Sequence, residues 1–110
     1  MPSFLRSEII LVRYPFSDLS SSKVRPAIIV NGPHASHDLI IVPLTSRTAA
    51  LYDGEFLLTD WRHAGLNVPS AVKRGVYTVL STLVLKQIGN LSSADASQLN
   101  RSLKRWLVLR

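Results

Sequence analysis

The sequence predicts a mainly β protein: a small, curled, mostly antiparallel barrel of short strands, with one amphipathic helix packed on it at the C-terminal end. Three observations point there. Short runs of β-branched and large apolar residues recur at close spacing, punctuated by proline, glycine and hydroxyl-bearing residues. A clear helical repeat occurs at the end of the chain. The length, 110 residues, suits one core, so residues 1–110 are read as a single domain.

The elements follow in order. Glu8–Tyr14 (EIILVRY) is a strand by composition, and Pro15 with the loop Phe16–Ser22 ends it. Pro26 cannot donate a ladder hydrogen bond, so it is expected at the start or edge of a short apolar strand, Ala27–Val30. Asn31-Gly32-Pro33 is a turn signal, and Asp38–Thr45 (DLIIVPLT) is a third strand carrying Pro43 near its end. Tyr52-Asp53-Gly54 turns into Glu55–Leu58, and TDWRHAGL reads as one or two helical turns closed by Gly65. Ser70–Val72, Gly75–Leu80 and Leu85–Ile88 are further short strands. Ser92 followed by Asp95 matches a capping box, with Asp in place of Glu or Gln. Ala96, Leu99, Leu103, Trp106 and Leu107 then form the apolar stripe of a helix over about Ala94–Leu107, with Arg101, Lys104 and Arg105 facing outward.

Composition narrows the function. Apolar residues make up 46% of the chain, enough for a globular core. The absence of cysteine excludes a disulfide framework, a thiolate zinc site and a cysteine nucleophile. The first residues, MPSFLRSEIILVRY, do not read as a secretory signal, because Arg6, Glu8 and Arg13 break the apolar run. No apolar segment approaches the roughly 18 residues of a membrane span. A soluble, cytoplasmic protein without membrane contact is expected. The net charge of +6 favours a polyanion or an acidic protein as partner.

The chemistry-bearing residues are few. His34 and His37, three apart beside Asp38, could ligate a metal, but solvated loop histidines are the commoner case, and no metal or cofactor is expected. No G-x-S-x-G elbow and no phosphate-binding glycine loop occurs. What remains is a set of cations and hydroxyls: Arg25 at a loop–strand junction, Thr45-Ser46-Arg47 at the end of another strand, and Ser70 and Lys73 flanking a third. If the second and third strands pair, Arg25 and Thr45 meet at one rim and form a phosphate site. The alternative is that Arg25 pairs with Asp18 or Asp38 and Thr45 caps a turn. RNA carries its own nucleophile, the 2′-hydroxyl. Its cleavage needs the charge on the phosphorane stabilised, which an arginine fork can do without a metal. Arginine is a poor base, leaving His34, His37, Asp18 or the substrate's own surroundings as candidates for proton removal.

EIILVRYPFSDLSSSKVRPAIIV, PLTS (Pro43–Ser46) and the segment GEFLLTDWRHAGLNVPSAVKRGVYTVLSTLVLKQIGNLS resemble, in order and spacing, the MazF/PemK-type toxins of bacterial toxin–antitoxin modules. The likeness spans about Glu8–Trp106. It implies an SH3-like barrel forming a homodimer. It also implies metal-independent, sequence-specific cleavage of single-stranded RNA such as mRNA, leaving a 2′,3′-cyclic phosphate and a 5′-hydroxyl, and an acidic antitoxin as partner. Arg25 and Thr45 match the family's catalytic positions. Ser20, Ser21, Ser22 and Lys23 match the loop over the RNA groove, and Ser46, Ser70 and Lys73 are further substrate-binding candidates. The sequence departs from the family at Gly75, where some members carry an acid; Lys73 stands in for an arginine. Two other functions compete: a non-enzymatic gyrase inhibitor of the CcdB type, acting through its C-terminal helix, and a passive RNA-binding module. Trp106 and the basic C-terminus speak for the first, Gly75 for the second.

Overall fold

The computed structural model describes residues 4–14 and 23–110; for Tyr14 and Lys23 it describes the backbone alone. The strands are β1 Glu8–Tyr14, β2 Lys23–Ile29, β3 Asp38–Thr45, β4 Phe56–Leu57, β5 Ala71–Val72, β6 Tyr77–Leu80 and β7 Val84–Asn90, and the helix α1 covers Ser93–Trp106. They form one seven-stranded sheet in the order β4-β5-β3-β2-β1-β7, with β6 also paired to β3. All pairings are antiparallel. The expected mainly β architecture with a C-terminal helix is present. The sheet is not closed, since β4 and β7 end the path without pairing each other.

The central strands are buried on both faces, which is why their sequences read as continuous apolar runs rather than alternating ones. Ile9, Ile28, Val42 and Leu44 pack on one face with Leu99 and Leu103 of α1. Ile10, Ala27, Ile29 and Ile41 pack on the other with Leu39 and Val79. Helix α1 ends its apolar stripe at Trp106, whose indole N–H donates to the Asp53 carbonyl (2.9 Å). Leu107, expected in the stripe, is the C-cap residue and is 49% exposed.

The two prolines explain how the sheet is divided. Strand β2 begins at Lys23, earlier than expected, so Arg25 and Pro26 lie inside it, opposite Val12 and Leu11. The Pro43 carbonyl accepts from the Lys73 N–H (3.0 Å), so the Pro43 backbone faces away from β2. Its missing donor therefore falls between the stretch of β3 paired to β6 and the stretch paired to β5. Ala27 opposes Pro43 in the β2–β3 ladder. Backbone polarity alternates along a strand, so the Pro26 nitrogen faces β3, where it has no proton to give. The β2–β3 ladder stops there, with Ala27–Pro43 as its last pair.

The segment TDWRHAGL forms a hydrogen-bonded turn rather than a helix, with Ala64 N–H donating to Asp60 (3.2 Å) and Leu66 N–H to Trp61 (3.1 Å). Gly65 closes it at φ +82°, where a Cβ would strike the Ile88 carbonyl. Asp95 fixes this turn to α1. Ser92 caps the helix by accepting the Asp95 N–H (3.2 Å), but the Asp95 carboxylate does not complete the box. It reaches across to Thr59 N–H (2.9 Å), Thr59 hydroxyl (2.6 Å) and Asp60 N–H (3.1 Å). Burial alone would push its pKa up. The hydrogen bonds from Thr59, Asp60 and Ser92 outweigh that and hold the carboxyl below the usual aspartate value.

Candidate active site

By register, Arg25 and Thr45 fall opposite each other at one end of the sheet. The β2–β3 pairs are 27 with 43, 28 with 42 and 29 with 41. The same count sets Arg25 opposite Thr45, two positions past the last pair. Side chains alternate along a strand, so Arg25 shares its face with Ala27 and Ile29, and Thr45 shares the same face with Ile41 and Pro43. On its other side Thr45 pairs with Ala71. Because Pro26 halts the ladder between them, the two strands are free of cross-links at this rim.

The electrostatics there are unbalanced. Arg25 is exposed, and among the described residues no carboxylate lies within ion-pair distance of it. Asp38, one proposed partner, begins β3 while Thr45 ends it. Asp18, the other, lies outside the described residues. The Thr45 hydroxyl accepts the Arg47 N–H (3.1 Å), which occupies an oxygen lone pair and leaves its proton available to a ligand. An arginine fork beside a donating hydroxyl is a fitting receptor for a phosphodiester.

The other candidates fall in different places. Lys73 follows β5, is exposed, and by the β3–β5 register lies on the Arg25–Thr45 face, opposite Pro43. Ser46 is exposed just beyond Thr45. Ser70 is 3% exposed, and its hydroxyl donates to the Val68 carbonyl (3.0 Å), so the structure does not bring it to the open rim. Ser20, Ser21, Ser22 and the Lys23 side chain lie outside the described residues. His34 and His37 precede β3 and sit at the opposite end from Thr45, roughly 20 Å or more along the strand. Neither His34 nor His37 comes near Arg25 and Thr45 within this chain. Among the described residues no three His, Asp or Glu side chains come together as metal ligands, and no helix is long and apolar enough to cross a membrane.

Four aromatic side chains, Tyr14, Phe16, Tyr52 and Trp61, could stack on bases by residue type; Trp61 packs on the helix-side core with Arg62 over its ring (4.7 Å), whereas Tyr52 is 78% exposed. Tyr14's side chain and Phe16 lie outside the described residues. Sequence reasoning left Glu55 and Tyr77 unremarked. Glu55 accepts the N–H groups of Tyr52 and Arg74 (both 2.8 Å), tying the 52–55 turn to the segment after β5. Glu55, Lys73, Arg74 and Gly75, with Arg105 and Trp106, line a groove of about 920 Å³.

Residues 5–107 match the family of PemK-like, MazF-like toxins of type II toxin–antitoxin systems. An endoribonuclease in complex with its cognate antitoxin, from a mycobacterial species, superposes with a TM-score of 0.75 at 18% identity, covering 100% of this chain and 98% of the other. A further endoribonuclease from a mycobacterial species gives 0.75 at 18%, over 99% and 95%. The Mycobacterium tuberculosis toxin MazF-mt6 gives 0.73 at 20%, over 94% and 98%. At such identities these likenesses speak for the fold. No curated protein matches the chain.

Proposed function

This chain belongs to the family of PemK-like, MazF-like toxins of type II toxin–antitoxin systems, and from that premise we propose that it is a metal-independent endoribonuclease that cleaves single-stranded RNA, mRNA in the cell, at particular sequences. The observation that carries the reading is Arg25 and Thr45 on one face, opposite each other, with no described carboxylate to neutralise the arginine. Attack of the 2′-hydroxyl on the adjacent phosphorus gathers charge on the non-bridging oxygens. Arg25 stabilises that charge through two parallel N–H contacts, and Thr45 donates a third. The products are a 2′,3′-cyclic phosphate and a 5′-hydroxyl.

The remaining candidates take supporting parts. Lys73 and Ser46 hold flanking backbone, and the loop containing Ser20, Ser21, Ser22 and Lys23 covers the strand. Exposed Tyr52 offers a stacking face to a neighbouring base. The antitoxin is an acidic protein drawn to the basic surface, and the solved mycobacterial complex supports such a partner. The toxin acts as a homodimer in the cytoplasm; exposed Leu107, Val108 and Leu109 offer apolar area for a second copy. The gyrase-inhibitor reading loses its main support because Trp106 is engaged with Asp53 and the helix-side core.

An end-labelled RNA and the same RNA with a single 2′-deoxynucleotide at the cleaved position test the reaction. Cleavage of the first alone, in excess chelator, is expected. Cleavage of both at one rate would exclude 2′-hydroxyl attack, and binding without cleavage of either would make the protein a passive RNA binder.

A further inference from the structure

Among the described residues the sheet has open edges at β4, β6 and β7, and the chain treats them unequally. At β7 the edge is guarded. Two register shifts against β1 curl the strand, exposed Lys86 stands on it, and the Ala64–Gly65 backbone lies against Gly89. At β4 the edge is only two residues long. Strand β6 has neither protection. It pairs with β3 alone, in unbroken register, with Asp38 opposite Leu80 and Ile41 opposite Tyr77 at the two ends. From Gly75 to Leu85 the sequence, GVYTVLSTLVL, holds no charged residue.

The β3 ladder tells which backbone groups this edge presents. Ile40 turns both of its polar groups to the β2 side: its carbonyl accepts the Val30 N–H (2.9 Å), and its N–H donates to the Asn31 side-chain oxygen (3.0 Å). Thr78 stands opposite Ile40, so the Thr78 N–H and carbonyl point away from β3, out of the sheet. By alternation the Leu80 N–H points the same way. Exposed apolar side chains flank this row: Ile40 and Leu80 at one end, Val76 at the other. Val76 borders the groove that Leu107 also lines.

Resting on the homodimer reading above, we propose that the open edge of β6 is where a second copy of this chain binds, the two β6 strands pairing antiparallel about a two-fold axis at Thr78. Each Thr78 N–H then donates to the carbonyl of the partner's Thr78, and Leu80 lies opposite the partner's Val76. The edge is self-complementary in this register: a Thr–Thr contact at the axis, a Leu–Val contact on either side, and no like charges brought together. An acidic peptide would find no cation along residues 75–85 and would meet Asp38 beside Leu80, so the edge suits a second copy better. Four residues of strand are too few for an interface of roughly 1,200 Å² or more. Leu107, at the groove beside Val76, supplies further apolar area together with Val108 and Leu109.

The chain has no cysteine, so Thr78→Cys introduces a single thiol. Opposed residues of a hydrogen-bonded antiparallel pair have Cα atoms about 5.5 Å apart, within the span of a disulfide. Under mild oxidation Thr78→Cys is expected to form a disulfide-linked dimer about tenfold or more faster than Arg62→Cys, a control thiol on the exposed 59–65 turn. Leu80→Lys sets a charge on a site that is already exposed. It is expected to weaken self-association about tenfold or more in sedimentation, with an unchanged circular dichroism spectrum. With the wild type dimeric, cross-linking of Thr78→Cys no faster than the control would overturn the proposal. So would a Leu80→Lys protein as dimeric as wild type, which would put the second copy elsewhere and leave the edge to a strand of another protein. A wild type that stays monomeric at every concentration would instead remove the homodimer reading on which the proposal stands.

Discussion

Asp95 and Arg25 are charged side chains treated in opposite ways. Asp95, 2% exposed, collects two backbone N–H groups and a hydroxyl at the junction of α1 and the 59–65 turn. Arg25 stands exposed at the sheet rim, with no described carboxylate in reach. A charge that serves the fold has its partners built in, since a buried carboxylate without them would cost several kcal/mol. A charge that serves a ligand is left with its donors unspent. The helix-side corner is thus the region where substitution should cost stability, and the Arg25–Thr45 rim the region where it should cost activity.

The largest effect should break the first corner. Gly65→Ala places a Cβ against the Ile88 carbonyl at a positive φ, so turn and β7 must part. A loss of about 3 kcal/mol or more is expected in urea unfolding; a loss under about 1 kcal/mol would mean that the junction is looser than its contacts imply. Asp95→Asn should cost about 2 kcal/mol, since one acceptor oxygen becomes an amide facing N–H donors. This loss depends on pH. The Asp95 pKa is lower folded than unfolded, so its stabilisation is complete above the unfolded value of about 4 and disappears as pH falls through the folded value. The gap between wild type and Asp95→Asn should be constant from pH 5 to 7 and narrow below pH 4. A gap that widened on acidification would contradict the assignment. Neither variant should change the cleavage rate per folded molecule.

The two corners were not equally legible in the sequence. The period of Leu99, Leu103 and Trp106 announced α1, and Ser92 announced its start, because both signals are local. That Asp95 would leave the capping box for Thr59 and Asp60 was not legible, since those partners are 36 and 35 residues away. At the rim, Pro26 and Pro43 were visible as ladder breakers, and Arg25 and Thr45 as a pair if their strands met. Which hydroxyls would face the rim was hidden. Ser70 follows the register of a two-residue strand, too short to show a period of its own.

The most direct test is cleavage of an end-labelled single-stranded RNA in excess chelator, wild type beside Arg25→Ala, with product ends identified and both proteins checked for unfolding. The predicted result is cyclic-phosphate ends from the wild type, a rate about 10²–10³-fold lower for the variant, and equal stability for the two. Cleavage that requires a metal, or an Arg25→Ala protein as fast as wild type, would contradict the account.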